Sequence, residues 1–187
     1  MRRVIVQEWV TIDGFAAGEN DELDFMPAQF SSKSKNSVEH NQLEFMQTID
    51  TMLLGLKTYQ MFEAYWPPSK DSIADGLNAL TKYVFSETLE QAPWGDSEEA
   101  TIIKTDAEKR IAKLKEGAGK DIVIWGSLSL VQSLFNSDII DEYQFFLCPS
   151  VLGKGRKLFT SDSRILNLHL LESKTFEDGC ILLRYGR

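Results

Sequence analysis

The chain has 187 residues, and its formal net charge is −8 at pH 7. This length favours a single domain, residues 1–187, over two. The acidic balance argues against a nucleic-acid binder, because a phosphate backbone requires clustered Lys and Arg. One local basic pocket would still admit a small anion. Since no run approaches the roughly 18 apolar residues of a membrane span, we expect a cytoplasmic protein without nucleic-acid or membrane partners.

The N-terminal part of the chain predicts a strand, a long loop and a helix. Residues 4–12 (VIVQEWVTI) favour a strand that ends at the turn pair Asp13-Gly14. Residues 16–36 are polar and rich in Gly, Asn, Asp and Ser, and loops of this length are often functional or mobile. Residues 37–48 then predict a helix whose first residue, Ser37, is the N-cap.

Strands and helices alternate through the rest of the chain. The pattern predicts strands at 51–55, 82–86, 100–104, 122–125 and 143–151, and helices at 57–65, at 106–116 and directly after Gly126-Ser127. The tail, residues 168–186, predicts a hairpin with its turn at Asp178-Gly179. This order predicts an α/β domain with three layers, αβα. Its central sheet would be mixed but mostly parallel, and it would close with a C-terminal antiparallel hairpin.

Three strand-to-helix junctions carry candidate binding groups. In open α/β sheets, ligands bind at the carboxyl ends of the strands, and these junctions fall there: residues 55–58 (GLKT), 86–88 (SET) and 126–129 (GSLS). Gly126 has no Cβ and lets a ligand approach the backbone. Ser127 or Ser129 can cap the following helix, whose free first-turn N–H groups would bind an anion such as phosphate. A plain turn with a serine cap explains the same residues equally well.

Lys57 is an unusual cation at the start of a helix, where the helix dipole already places partial positive charge. A bound anion would remove this conflict. The alternative is a solvated lysine that tolerates a cost of under about 1 kcal/mol. Two junctions suited to anions in one sheet favour a dinucleotide, although neither a Walker A motif nor GxGxxG is present.

The sequence assigns no catalytic residue. It contains no GxSxG, HExxH or PCxxC motif, and its two histidines, His40 and His169, are far apart. Cys148 and Cys180 have no CxxC partner, so we expect reduced thiols and no metal. With so few nucleophiles and metal ligands, chemistry carried by a cofactor is favoured.

Three blocks of the sequence resemble one known family. They are TIDGFAAGENDELDF near the start, MLLGLKTYQMFEAYWP in the middle, and DIVIWGSLSLVQSLFNSDIIDEYQFFLCPSVLGKGRKLF. With these blocks the chain resembles the dihydrofolate-reductase-like fold from residue 3 to about residue 185. Within that fold it is similar to stand-alone relatives of the reductase domain of the bifunctional riboflavin-biosynthesis deaminase/reductase. The resemblance implies a central mixed sheet with NADPH bound across the carboxyl ends of its strands.

The resemblance also implies two sets of binding residues. For the cofactor they are Gly55, Lys57, Thr58, Ser86, Gly126, Ser127, Leu128 and Ser129. For the substrate pocket they are Glu8, Trp9, Asp13, Gly14, Lys154 and Arg156. The basic loop 153–157 fits either a substrate phosphate or a solvated turn. The carboxylate of Glu87 would repel the 2′-phosphate of NADPH, so NADH is not excluded.

The resemblance implies an NADPH-dependent oxidoreductase that acts on a small heterocyclic substrate by hydride transfer. The named candidate is 5-amino-6-(5-phosphoribosylamino)uracil reductase-like activity. One alternative is a dihydrofolate or pterin reductase, for which Glu39 and Glu44 lie in a suitable helix without a motif that selects either. Another is a non-catalytic nucleotide- or metabolite-binding protein. The apolar C-terminal hairpin would leave an exposed sheet edge, so we expect a homodimer.

Overall fold

The computed structural model of the protein describes residues 1–27, 34–159 and 165–187. Residues 28–33 of the predicted loop 16–36 lie outside the described residues. The strands of the described part are β1 (Val4–Thr11), β2 (Ile49–Gly55), β3 (Thr81–Phe85), β4 (Thr101–Ile103), β5 (Asp121–Trp125), β6 (Glu142–Cys148), β7 (His169–Thr175) and β8 (Ile181–Gly186). The helices are α1 (Val38–Met46), α2 (Leu56–Tyr65), α3 (Ala74–Ala79), α4 (Ala107–Glu116) and α5 (Leu128–Leu134).

The strands form one eight-stranded sheet in the order β4-β3-β2-β5-β1-β6-β8-β7. All neighbours from β4 to β6 pair in parallel, whereas β8 pairs antiparallel with both β6 and β7. The prediction of a mixed, mostly parallel sheet with a C-terminal antiparallel hairpin is therefore confirmed. The sheet brings the carboxyl ends of six parallel strands to the same edge, where ligand sites form in such folds.

Helices cover both faces of the sheet. Successive side chains of a strand point to opposite faces, and in β2 Met52 and Leu54 pack in a cluster with α2 and α3, while Leu53 packs in a second cluster with α4 and α5. Because both faces are buried, residues 52–54 of β2 and 122–125 of β5 form continuous apolar runs, as expected of central parallel strands. The predicted three-layer αβα arrangement is confirmed.

The structure differs from the predicted elements mainly in two places, and the other bounds shift by only one or two residues. The predicted strand 143–151 ends at Cys148, because Pro149 has no N–H to continue the ladder. The short helix α3 was not predicted. The predicted cap of α1 is confirmed, since Ser37 Oγ accepts a hydrogen bond from the His40 N–H at 3.1 Å.

The C-terminal hairpin forms one edge of the sheet. Its turn lies at Asp178-Gly179 as predicted, with Gly179 at φ +85°. Cys148 and Cys180 are free thiols buried beside this hairpin. No helix within residues 1–27, 34–159 and 165–187 is long and apolar enough to cross a membrane.

Candidate functional site

A cleft of about 910 Å³ runs along the carboxyl ends of the parallel strands. Five neighbouring strands reach it, through Trp9 of β1, Gly55 of β2, Phe85 of β3, Ile103 of β4 and Trp125 of β5. Its position is therefore a consequence of the parallel topology, which places all five strand ends on one side of the sheet.

Most of the residues predicted for binding meet in this cleft. All eight predicted cofactor residues line it: Gly55, Lys57, Thr58, Ser86, Gly126, Ser127, Leu128 and Ser129. Of the predicted substrate residues, Glu8, Trp9 and Arg156 line it, whereas Asp13, Gly14 and Lys154 do not. The first and third strand-to-helix junctions thus face a common open groove.

The two junctions are also bonded to each other. The Gly55 N–H donates to Ser127 Oγ at 2.8 Å, and the Ser127 N–H donates to Thr58 Oγ1 at 2.9 Å. The Ser127 hydroxyl donates to the Trp125 carbonyl oxygen at 2.8 Å. Of the two serines predicted as candidates to cap the helix, Ser127 lies at the N-cap position with φ +59°, but its side chain makes no capping bond, because that hydroxyl links the two junctions instead.

Gly126 allows the first and third junctions to lie close to each other. Its φ is +52°, in the left-handed region that side chains disfavour. A Cβ at this position would lie 3.2 Å from Thr58 Oγ1 and 3.3 Å from Thr58 Cγ2. Helix geometry leaves the first-turn N–H groups of α2 without acceptors inside their own helix. In α5 the same holds for Leu128 and Ser129, whereas the Leu130 N–H donates to the Ser127 carbonyl oxygen at 2.8 Å. Both first turns border the groove, through Leu56 and Leu128.

Two cations in the cleft share one carboxylate. Lys57 Nζ lies 2.6 Å from Asp21 Oδ2, and Arg156 Nη1 contacts Asp21 Oδ1. These contacts hold the pKa of Asp21 below its usual range, with the Lys57 hydrogen bond as the largest cause. Asp21 belongs to the predicted loop 16–36, and no local pattern pointed to it. A phosphate entering here would compete with Asp21 for both cations.

Three predicted substrate residues lie outside the cleft lining. The carboxylate of Asp13 accepts hydrogen bonds from Thr11 Oγ1 at 2.6 Å and from the Gly153 N–H at 2.7 Å. These bonds lower the pKa of Asp13 to about 2, the Thr11 bond most strongly, and they tie the end of β1 to the loop after β6. Lys154 pairs with Glu19 at the surface, 2.6 Å apart. Gly14 occupies the turn after β1 with φ +83°.

Glu8 is an acid buried in the cleft wall. The residue is only 4% exposed, and burial raises the pKa of its carboxyl well above the ordinary value. Its Oε1 is buried without a hydrogen-bond partner among the described residues. The resemblance named Glu8 as a residue of the substrate pocket but gave its side chain no role. The signal was present in the sequence, since Gln7 and Glu8 interrupt an otherwise apolar strand.

The rest of the cleft wall is largely apolar and aromatic. Met61 and Tyr65 of α2 line the cleft although they are 44% and 53% exposed. Phe62, Trp66 and Trp125 complete this side, and the ring of Phe62 packs against the rings of both tryptophans. Such a wall with a few polar groups is typical of small-molecule sites, and it suits a flat ring.

Comparisons with known proteins agree with this architecture. Residues 2–182 match the family described as the RibD C-terminal domain. The uncharacterized protein YyaP of Bacillus subtilis (strain 168) is 30% identical over 189 residues, which cover 98% of this chain and 94% of YyaP.

Two solved structures show the fold. A putative riboflavin biosynthesis protein from Shewanella sp. PV-4 superposes with a TM-score of 0.77 at 21% identity, covering 99% of this chain and 98% of that one. A dihydrofolate reductase from Enterococcus faecalis, complexed with NADP(H), superposes with a TM-score of 0.57 at 14% identity, covering 99% of this chain and 96% of that one. The family and the fold that the sequence resembles are thereby confirmed. The chain belongs to the RibD C-terminal domain family, and its fold is that of the dihydrofolate reductases.

Proposed function

We propose that the protein is an NAD(P)H-dependent reductase of a small heterocyclic compound. The substrate we propose is a 5-amino-6-(5-phosphoribosylamino)uracil or a close relative of it. The observation that carries the proposal is the cleft itself, since all eight residues predicted to contact the cofactor lie on its lining. Membership of the RibD C-terminal domain family supports a reductase.

The residues of the cleft fit a nicotinamide dinucleotide. The first turns of α2 and α5 would bind the pyrophosphate through their N–H groups, and Lys57 would add a positive charge. Ser86 would lie near the adenosine end, where the neighbouring Glu87 also lines the cleft and would disfavour a 2′-phosphate. This neighbour is the reason to treat NADH as an equal candidate. The cofactor, when bound, would supply the hydride.

The chain would contribute position, charge and a proton. The aromatic wall of α2 would hold a flat ring and exclude water, and Arg156 would hold an anionic substituent of the substrate. Glu8 would keep a proton at the cleft wall, because burial raises the pKa of its carboxyl. That proton would be available to the substrate atom that receives the electron pair.

The pterin-reductase alternative has little support in the cleft. That activity, as the resemblance describes it, needs a helix carboxylate to hold the pterin, and the candidates were Glu39 and Glu44. Neither lines the cleft, and the exposed Glu44 instead lies 3.5 Å from His40. The α1 residue that does line the cleft is Gln42, an amide.

Titration with NADPH and with NADH at micromolar concentration tests the proposal. We expect a saturable change in nicotinamide fluorescence with at least one of them, followed by oxidation in the presence of a pyrimidine substrate. A panel of pyrimidines, pterins and quinones would define the substrate class. Flat titrations with both cofactors would contradict the proposal. Saturable binding with no oxidation across the panel would favour a nucleotide-binding protein on the same fold.

We also propose that the protein forms a homodimer through its C-terminal sheet edge. The strand β7 is the last strand of the sheet, and Leu170 and Leu171 on it are 56% and 47% exposed. An unpaired strand edge with apolar side chains favours pairing with a second copy. We expect light scattering after gel filtration to show a dimer for the wild type and a monomer for Leu170→Lys/Leu171→Lys. The control Val151→Lys, at another exposed apolar residue, should remain dimeric; a monomeric wild type would refute the dimer.

A further inference from the structure

A chain of hydrogen-bonded side chains runs through the buried part of the sheet from β6 to α1. It starts at Glu142 and Gln144 of β6, passes through Gln7 of β1, and ends at Gln42 of α1. These four residues are between 1% and 6% exposed. Water does not reach their side-chain carboxylate and amide groups freely, so the direction of each hydrogen bond is set by its protein partners.

Glu142 fixes one end of this chain. Its carboxylate receives Arg3 Nη1 at 2.8 Å and Arg184 Nε at 2.8 Å. A carboxylate offers only acceptors, so Gln144 must turn its NH₂ group toward it, and Gln144 Nε2 lies 2.9 Å from Glu142 Oε1. The oxygen of Gln144 is then left to accept from Gln7 Nε2, at 2.8 Å.

Trp125 fixes the middle of the chain independently. An indole N–H can only donate, and Trp125 Nε1 lies 2.7 Å from Gln7 Oε1. Gln7 Oε1 is therefore an acceptor on two separate grounds. Gln42 must therefore donate to Gln7 Oε1 through its NH₂ group, and Gln42 Nε2 lies 2.8 Å from that oxygen. A flipped Gln42 amide would place two oxygens in contact.

When every amide in this series of hydrogen bonds is oriented in this way, one oxygen is left without a partner. Gln42 Oε1 is buried and has no hydrogen-bond partner among the described residues. Gln42 and Gln7 both belong to the cleft lining. A buried acceptor without a donor is unfavourable and rare in folded proteins, and a ligand that brings a donor would satisfy it.

We propose that Gln42 Oε1 accepts a hydrogen bond from a ring N–H of the substrate, so that the cleft selects a flat lactam of the uracil type. This inference rests on the proposed function, in that the ligand is taken to be the compound that is reduced. The acceptor cannot turn into a donor, because Gln7 holds the amide in place. A methyl group on the ring nitrogen would remove the donor and leave Oε1 unpaired.

Calorimetric titration with 6-aminouracil and with its N1-methyl and N3-methyl derivatives tests the proposal. The wild type is expected to bind 6-aminouracil about ten- to hundredfold more tightly than one of the two derivatives. Gln42→Leu is expected to bind all three compounds alike. Gln144→Leu should keep the preference, because Trp125 still orients Gln7, and it serves as the matched control for a broken buried amide.

Three results would overturn the subsite: equal binding of all three compounds by the wild type, a preference retained in Gln42→Leu, or no binding of 6-aminouracil at millimolar concentration. The wild-type comparison needs no variant, so a variant that fails to fold leaves the test intact. The titrations contain no nicotinamide cofactor. A preference for the unmethylated ring without NAD(P)H oxidation would therefore support the subsite and contradict the reductase. Oxidation without that preference would support the reductase and contradict the subsite.

Discussion

Replacing Glu8 by Gln is expected to raise the midpoint of thermal unfolding at neutral and alkaline pH and to reduce its dependence on pH. Burial raises the pKa of the Glu8 carboxyl in the folded state above its ordinary value of 4.5. The folded protein therefore binds this proton more tightly than the unfolded chain. The stability that the proton confers is complete below the unfolded pKa and is lost as pH rises through the folded pKa.

The size of the effect follows from the ionisation that Gln removes, because both side chains bury a polar end. Each unit by which the folded pKa exceeds the unfolded pKa contributes about 1.4 kcal/mol, and in a chain of this length each 1 kcal/mol shifts the midpoint by roughly 2–4 °C. Gln has nearly the same shape as Glu and cannot ionise, so the gain should appear at neutral pH and vanish in acid. Melting curves of both proteins across the pH range measure it.

Glu116→Gln is the matched control for this prediction, because Glu116 is an exposed residue of α4. Because this side chain is exposed, the exchange should not produce the gain in stability that is expected of Glu8→Gln at neutral pH. If the wild type and Glu8→Gln instead gave parallel curves at every pH, the Glu8 carboxyl would not be the buried titrating group that the structure indicates.

Much of the fold was predictable because its signals are local. The apolar runs of β2 and β5 reflect burial on both faces of the sheet, and Asp178-Gly179 marks a hairpin turn that needs a positive φ at Gly179. The helix α3 gave no such signal, since its six residues include Gly76 and Asn78. It is stabilised by tertiary contacts instead: Asn78 bonds the Trp66 carbonyl oxygen and the Trp94 indole N–H, at 2.9 and 2.8 Å.

The candidate site was predictable only where it lies at strand ends. The junctions at Gly55 and Gly126 follow from the order of strand, Gly and helix. The use of Ser127 as a link between them does not, because its partners Gly55 and Thr58 are 72 and 69 residues away in the chain. The same limit applies to Asp21, whose partners Lys57 and Arg156 come from two distant segments. A single sequence carries no signal for such pairings.

Charge reversal at Lys57 is expected to weaken binding of the nicotinamide cofactor about ten- to hundredfold. A hydrogen bond to a charged group contributes about 1.5–3 kcal/mol, and each 1.4 kcal/mol is a factor of ten in affinity. The side chain of Lys57 is 71% exposed, so the loss of its ion pair with Asp21 should cost little stability. Fluorescence titration of Lys57→Glu with NADPH and NADH measures the effect. Lys113→Glu, the same charge change at an exposed position of α4, is the control.

Asp21→Asn is expected to strengthen ligand binding, whereas Lys57→Glu weakens it. The two variants together show whether Asp21 competes with the ligand for the cations or positions the cations for the ligand. Asn tolerates the left-handed backbone that Asp21 adopts at φ +67°, while the neutral amide leaves Lys57 and Arg156 without their shared anion. If a cofactor or substrate phosphate replaces Asp21 between these cations, the variant should bind more tightly, and added salt should weaken its binding more steeply because both charges are then free. Weaker binding by Asp21→Asn would show that Asp21 orients the cations for the ligand. Unchanged affinity in Lys57→Glu would remove Lys57 from the cofactor site altogether.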